Sequence, residues 1–191
     1  FRHELSTGKT PLVSSNGLGS VIGASDVSGP VISSDAQVIA FESRHTNSVQ
    51  HVISVWNAAT QTASIASVNT NGTVSATGTA DTPALSADGR YVAFLSTANE
   101  LVSAPVGASS QIYVRDLTAK TTQVVSAGLN GEAVDHGDLT TVSLSADGRV
   151  AAFHTRAAGL VPNDSNAAHD VFARNLASGS LQLVSERHPA R

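Results

Sequence analysis

SLSADGRVAAF, residues 143–153, is one of three related stretches in this 191-residue chain. The other two are ALSADGRYVAF at residues 84–94 and VISSDAQVIAF at residues 31–41. Each stretch predicts a short apolar strand, a turn at Ser-x-Asp and a second apolar strand that ends in Phe. The closing Phe residues are separated by 53 and 59 residues: Phe41, Phe94 and Phe153. A near-constant period of this size, built from strands, predicts the blades of a β-propeller.

The turn between the first two strands differs among the three units. Asp-Gly steps at Asp88 and Asp147 predict tight hairpin turns, because Gly accepts a positive φ and Asp bonds its own backbone. The first unit has Asp35-Ala36 instead, which leaves its turn type open. A third strand with alternating side chains, such as residues 111–117, and a short outer strand complete each four-stranded unit.

The N-terminus fits the same frame, since residues 1–8 align with residues 172–179, in the third strand of a blade. We therefore predict an all-β chain that forms a single β-propeller segment over 1–191 and is incomplete as a closed ring. Its parts are a half-blade at 1–15, blade one at 30–68, blade two at 83–127 and blade three at 142–186.

Three and a half blades do not close a ring, since propellers have about four to eight blades. We expect either more chain in the native protein or neighbouring copies to cover the two open ends. The closing Phe residues should be buried at equivalent positions, as should Ile53, Ile112 and Val171 on the third strands. The uncovered face of blade three should expose apolar residues such as Val171 and Leu183.

Composition excludes several classes of function. The formal net charge is −4, so the chain lacks the basic footprint of a nucleic-acid-binding protein. No apolar run approaches the roughly 18 residues of a membrane helix, so no membrane span is expected. The absence of cysteine removes disulfides, thiolate metal sites and a cysteine nucleophile together.

The repeats resemble a known family. SADGRYVAF followed by IYVRDLTAKTTQVVS, and SADGRVAAF followed by LVPNDSNAAHDVFARNLASGSLQLVS, are similar to the TolB-like, WD-type β-propeller repeats of bacterial exported proteins. The resemblance implies a propeller fold and a periplasmic or extracellular location. It implies no activity, because the family pattern has no catalytic residues to carry over.

One loop predicts a metal site. Asp164, Asn166 and Asp170 place three oxygen donors at offsets 0, 2 and 6, which is the kind of ligand set that Ca²⁺ prefers. The loop resembles the Asp-x-Asn-Gly loops of many such repeats, with Ala167 in place of the Gly. The alternative is a turn in which Asp and Asn side chains cap a strand and no metal is bound.

No catalytic constellation is visible in the sequence. A Gly-x-Ser-x-Gly elbow is absent, and the seven histidines form no His-x-x-x-His or His-Glu-x-x-His unit. We therefore predict a non-enzymatic scaffold or binding module of an exported bacterial protein. It would recognise a protein or glycan through loops on one face, or further copies of itself. The alternatives are the propeller part of a larger secreted enzyme and a self-associating extracellular structural protein.

Overall fold

The computed structural model describes residues 1–14, 27–44, 50–75, 77–104, 106–107, 109–128, 131, 134, 139–162, 164 and 168–185. Blade one consists of β1 (Val27–Ile32), β2 (Val38–Arg44), β3 (His51–Asn57) and β4 (Thr62–Ile65). Blade two consists of β5 (Ala80–Leu85), β6 (Tyr91–Ser96), β7 (Gln111–Asp116) and β8 (Thr121–Val124). Blade three consists of β9 (Val142–Leu144), β10 (Val150–Thr155), β11 (Asp170–Asn175) and β12 (Leu181–Leu183).

Each blade is one antiparallel sheet whose strands neighbour one another in chain order. The described residues contain no helix, and hence none that is long and apolar enough to cross a membrane. The prediction of an all-β chain with three complete four-stranded blades and no closed ring is confirmed.

The second and third strands pair in the same register in all three blades. The closing Phe of each second strand pairs with the residue at the same place on the third strand: Phe41 with Ser54, Phe94 with Tyr113, and Phe153 with Phe172. The two aromatic pairs stack, with ring centroids 5.9 Å apart in blade two and 5.7 Å apart in blade three.

The Ser-x-Asp turns share one set of hydrogen bonds. In every blade the Ser hydroxyl donates to the Asp carboxylate at 2.6 Å, from Ser33 to Asp35, Ser86 to Asp88 and Ser145 to Asp147. The same Ser oxygen accepts the N–H of the first residue of the second strand at 2.9–3.0 Å. Ala36 has a φ of +56°, close to the +68° of Gly89 and Gly148. Blade one therefore makes the same turn as the other two, although alanine replaces glycine there.

Three apolar clusters hold the blades together. One lies between blades two and three and contains Ile112 and Phe153. The second lies between blades one and two and contains Ile53 and Phe94. The third joins Phe41 of blade one to Val13 near the N-terminus. In each blade the closing Phe thus faces the preceding element, while Ile53 of blade one and Ile112 of blade two face the following blade.

A series of backbone hydrogen bonds also links the Ser-x-Asp turns. The Ser34 N–H donates to the Ala87 carbonyl at 2.8 Å, and the Ala87 N–H donates to the Ala146 carbonyl at 2.9 Å. These residues are the middle positions of the three turns. The blades are therefore fixed to one another at this end by polar contacts as well as by apolar packing.

The predicted exposure of Val171 is confirmed, whereas its predicted burial and the predicted exposure of Leu183 are wrong. Ile53 and Ile112 are fully buried, whereas Val171 is 41% exposed, because no described residues cover that face of blade three. Leu183 is partly buried against the cluster between blades two and three, so it faces blade two. Its neighbour Val184 is 56% exposed and occupies the uncovered side instead.

The first residues form the outer hairpin of a blade. Backbone N–H groups of Arg2 and Glu4 donate to the carbonyls of Pro11 and Lys9, at 3.1 and 2.9 Å. The Gly8 N–H donates to the Glu4 carbonyl at 2.8 Å, as the Gly179 N–H does to Asn175 in blade three. The predicted alignment with residues 172–179 therefore holds for the turn, while residues 1–14 form no assigned strand.

Candidate functional site: the loop end of the blades

The two ends of the blades are built from different connections. Because the strands alternate in direction, the β1–β2 and β3–β4 turns of blade one, with their counterparts in blades two and three, lie at one end, here called the turn end. The β2–β3 connection and the connector to the next blade lie at the opposite end, here called the loop end. The two ends differ in how strictly the blades repeat themselves.

The turn end is nearly identical in the three blades. At the end of each third strand a side-chain Oδ1 accepts the N–H two residues further on, at 2.8–3.0 Å: Asn57, Asp116 and Asn175. The turn that follows always contains a residue with positive φ, at Gln61, Lys120 or Gly179. A constant polar network of this kind maintains the fold.

The carboxylates of the turn end are engaged in this network. The hydrogen bond from the Ser hydroxyl lowers the pKa of Asp35, Asp88 and Asp147 below the usual range. Arg90 forms a two-pronged contact with Asp116, whose shortest distance is 2.7 Å from Nη2 to Oδ2. This contact lowers the pKa of Asp116 to about 2. Acidic groups held in this way stabilise turns and are not poised for catalysis.

The loop end differs from blade to blade. The connection between the second and third strands covers residues 45–50 in blade one, 97–110 in blade two and 156–169 in blade three. In blade two the Tyr113 hydroxyl donates to the Ala98 carbonyl at 2.9 Å, and burial raises the pKa of Tyr113 to about 12. Blade three has Phe172 at that position, which has no hydroxyl, so its loop of equal length lacks this hydrogen bond.

A serine after the outer strand supports the start of each third strand. Ser126 in blade two and Ser185 in blade three accept an N–H of that strand at 2.9 and 3.0 Å. Their hydroxyls donate to Gln111 Oε1 at 2.6 Å and to Asp170 Oδ1 at 2.5 Å. Asp170 therefore occupies the position that the buried Gln111 has in blade two. The Gln111 side-chain amide also donates to the Val134 carbonyl at 2.8 Å.

Two of the three predicted calcium ligands can be placed. Asp170 is buried and Asp164 is partly buried, whereas Asn166 lies outside the described residues. Burial raises the pKa of Asp164, and the negative charge of Asp170 raises it further, which indicates that the two carboxylates are near each other. Among the residues that the structure describes, no group of three or more His, Asp or Glu side chains is arranged to hold a metal ion. The calcium site stays a prediction.

Sequence analysis missed a pair of histidines beside this loop. The rings of His154 and His169 are 5.6 Å apart, and His154 Nε2 lies 3.1 Å from Thr140 Oγ1. The signal lies in the register, because His154 pairs with Val171 of β11, and His169 is the last residue of the connection that leads into β11. Directly paired residues share a face of the sheet, so His154 and Val171 lie on the uncovered side of blade three, and the ring contact places His169 beside His154.

Comparison with known proteins identifies the fold. No family model matches the chain, and a search of curated proteins also finds no match. The β-propeller domain of the trilobed protease from Pyrococcus furiosus aligns with 85% of the chain and 43% of its own, with a TM-score of 0.54 and 13% identity. A putative TolB from Agrobacterium tumefaciens aligns with 88% of the chain and 50% of its own, with a TM-score of 0.52 and 12% identity.

A structure of prolyl endopeptidases also matches, over 87% of the chain and 23% of its own, with a TM-score of 0.57 and 15% identity. The chain thus spans half or less of the length of these structures. At such identities the likeness shows the fold alone. The chain has a TolB-like β-propeller fold, and the resemblance stated from its repeats is confirmed at that level.

Proposed function

We propose that this chain is a non-enzymatic binding module that recognises a protein or a glycan through the loop end of its blades. The observation that carries the proposal is the contrast between the two ends. One end repeats a single hydrogen-bond network three times, whereas the other carries connections that differ in length and in contacts. Binding residues are commonly placed on variable loops supported by a rigid scaffold.

The described part of the loop end includes contacts between neighbouring blades. The connector of blade one contacts the loop of blade two through a hydrogen bond from the Thr70 N–H to the Glu100 carbonyl at 3.2 Å. The Ser75 hydroxyl contacts the Glu100 carboxylate at 3.3 Å. These contacts join two neighbouring blades into one surface.

We also propose that the protein is exported, because its repeats resemble those of exported bacterial proteins. Fractionation of producing cells tests this proposal.

Array binding tests the proposed function. Labelled protein is applied to glycan and peptide arrays, together with a loop-end variant, Ser103→Glu, and a turn-end control on blade three, Ala177→Glu. Both positions are exposed. We expect binding that Ser103→Glu reduces and Ala177→Glu preserves. Binding lost only in the turn-end control, or no binding on either array, would contradict the proposal, as would turnover of peptide or ester substrates by the chain alone.

A second candidate is the propeller part of a larger enzyme. Peptidases are among the matching structures, and the matched part covers only 20–25% of three of them. In that case the module would present or gate a substrate while the chemistry takes place in another domain. The coding sequence around the gene tests this candidate, since an adjacent catalytic domain in the same reading frame is expected. Without such a domain the enzyme candidate fails.

A further inference from the structure

A polar groove runs along the outer side of the molecule between blades one and two. It consists of two adjoining clefts of about 650 Å³ each, which share Gly72, Arg115 and Lys120 in their walls. One wall is formed by β4 and the turn around Gly72, and the other by β8 with the turn before it. We refer to it as the blade one–two groove.

Arg115 occupies a position that has a different role in the next blade. Its counterpart in blade three, Arg174, is 8% exposed, and its guanidinium donates to the carbonyls of Gly179 and Ala127. Ala127 belongs to blade two, so Arg174 closes the gap between two blades. Arg115 is partly exposed, and its Nη1 donates to the Thr122 hydroxyl of its own blade at 2.9 Å.

The groove carries positive charge that the chain itself does not neutralise. Among the described residues, neither Arg115 nor Lys120 forms an ion pair, whereas Arg90 is paired with Asp116. Burial lowers the pKa of Arg115, although a guanidinium remains charged at neutral pH. The cleft that reaches the loop end has no carboxylate among its described lining residues. The cleft toward the turn end includes Asp88, whose Oδ1 accepts hydrogen bonds from the Ser86 hydroxyl and the Arg90 N–H. A partly desolvated arginine that faces a groove favours an anionic partner.

We propose that the blade one–two groove binds a carboxylated polysaccharide. The groove supplies two cations for carboxylates, and Asn71, Thr121 and Gln123 supply hydroxyl and amide groups that both donate to and accept from sugar hydroxyls. The inference rests on the proposed binding function and names a ligand class for it. The groove begins at the loop end, where Ser103 lines it, and continues toward the turn end.

Two observations favour a polysaccharide over an acidic peptide. β8, which lines the groove, has only four residues, and a short edge strand offers little backbone for strand addition. Half of the residues that line the cleft at the loop end carry a hydroxyl or an amide side chain, and such groups suit a ligand with hydroxyl groups along its whole length. The formal net charge of −4 repels polyanions from the molecule in general, so binding would depend on the two groove cations.

Affinity electrophoresis in native gels that contain polygalacturonate tests the proposal. Lys120→Gln is the main variant, because Gln61 at the equivalent turn of blade one has nearly the same backbone, with φ of +54° against +58°. Arg115→Gln is the second variant, with its melting temperature measured to show that it folds. Arg149→Gln removes a cation whose side chain is 76% exposed on blade three and is the matched control.

We expect retardation of the wild type that weakens as salt is added, with a Kd raised about threefold by Lys120→Gln and about tenfold by Arg115→Gln. Arg149→Gln and a gel of neutral galactan should show no such change. Equal retardation of all variants, or none, would overturn the proposal, as would tighter binding to poly-glutamate than to polygalacturonate. If a different array ligand still depends on Ser103, the groove assignment fails while the proposed function stands.

Discussion

The interface between blades two and three and the uncovered face of blade three have the same backbone and nearly the same apolar side chains. In the interface Ile112 and Val125 are fully buried. On the uncovered face their counterparts Val171 and Val184 are 41% and 56% exposed. The difference comes from the neighbour and not from the residue, since the strands and registers match. Burial in a repeat protein is a property of the contact between units.

The uncovered face is not a fully apolar copy of the interface. Leu95, buried between blades two and three, is replaced by His154 on the uncovered face, beside His169. The residues nearer the centre of the sheet stay apolar. The expectation that more chain or a neighbouring copy covers the open face of blade three therefore stays a prediction. Its most direct test compares the same substitution on that face and in the interface between blades two and three.

The largest effect is expected from truncation of the equivalent β-branched residues. Ile112→Ala should reduce the free energy of unfolding by about 3 to 4 kcal/mol, because it leaves a cavity between blades. Val171→Ala should cost about 0.5 kcal/mol, as is usual for a solvated surface. The additional methylene of Ile accounts for only about 0.8 kcal/mol of that gap. Urea unfolding measures both, and equal losses would mean that the face of blade three is covered in solution.

Two glycines with the same backbone conformation provide the next comparison. Gly148 and Gly8 have φ of +68° and +69°, but a Cβ on Gly148 would overlap the Tyr91 ring of blade two, whereas a Cβ on Gly8 meets nothing within 4 Å. Gly148→Ala should cost about 2 to 3 kcal/mol, from backbone strain plus overpacking. Gly8→Ala should cost only the strain, about 1 kcal/mol. If thermal melts give equal losses, the blade contact contributes nothing.

Much of the fold could be predicted because the repeat determines it. The stretch at residues 143–153 encodes a turn, a register and a buried Phe, and each recurs in the structure. The turn of blade one was left open because Ala36 hides the left-handed conformation that Gly reveals elsewhere. The sequence predicted both burial and exposure for Val171, because a strand pattern specifies a face and not the presence of a neighbour.

The candidate sites were less predictable, for physical reasons. The blade one–two groove depends on the rotamer and partners of Arg115, which in sequence is indistinguishable from its counterpart Arg174. The His154–His169 contact joins a residue of β10 to the loop residue before β11, so it requires the fold rather than a linear motif. The acidic loop around Asp164 was visible, but its chemistry depends on how close its oxygens lie to one another.

Calcium would distinguish the loop of blade three from that of blade two. If the loop at residues 163–170 binds Ca²⁺, a concentration tenfold above Kd should stabilise the fold by about 1.4 kcal/mol, because the ion binds only the folded state. Differential scanning calorimetry with and without Ca²⁺ measures the shift in melting temperature. Asp164→Ala together with Asp170→Ala should abolish it. A wild-type melting temperature that is unchanged at millimolar Ca²⁺ would return the loop to a turn that binds no metal.

Acid stability tests a contact that blade two has and blade three lacks. The residue equivalent to Asp116 is Asn175, which keeps the turn hydrogen bonds but has no charge for an arginine. Because Arg90 lowers the pKa of Asp116 to about 2, the ion pair stabilises the fold above pH 4, and this contribution is lost as the pH falls toward 2.

Asp116→Asn should therefore cost about 0.5 to 1 kcal/mol at pH 7, a modest value because the Arg90 side chain is 46% exposed. Most of this cost should be gone at pH 2, where the wild-type carboxylate is about half protonated, and the rest is lost below pH 2. Urea midpoints at the two pH values measure it. A loss that is independent of pH would indicate that the substitution disturbs the turn itself rather than the ion pair.

The smallest effect concerns the turn of blade one, where Ala36 has a φ of +56°. At the equivalent positions a Cβ on Gly89 would overlap Val38 of blade one, and a Cβ on Gly148 would overlap Tyr91 of blade two. In blade one the turn accommodates the Cβ of Ala36, and the preceding described element is the hairpin of residues 1–14. We infer that the preceding blade, more than the turn, requires glycine.

Ala36→Gly should therefore stabilise the protein, by about 0.5 kcal/mol. Relief of the left-handed alanine is worth about 1 to 2 kcal/mol, and the greater freedom of glycine in the unfolded chain takes back about 0.5 to 1 kcal/mol. Ala146→Gly, in the middle of the blade three turn where φ is not positive, is the control and should destabilise by about 0.5 kcal/mol. Thermal melts of the two variants should shift in opposite directions. If both lower the melting temperature, the left-handed conformation of Ala36 carries no strain, and the steric account of the two glycines loses its support.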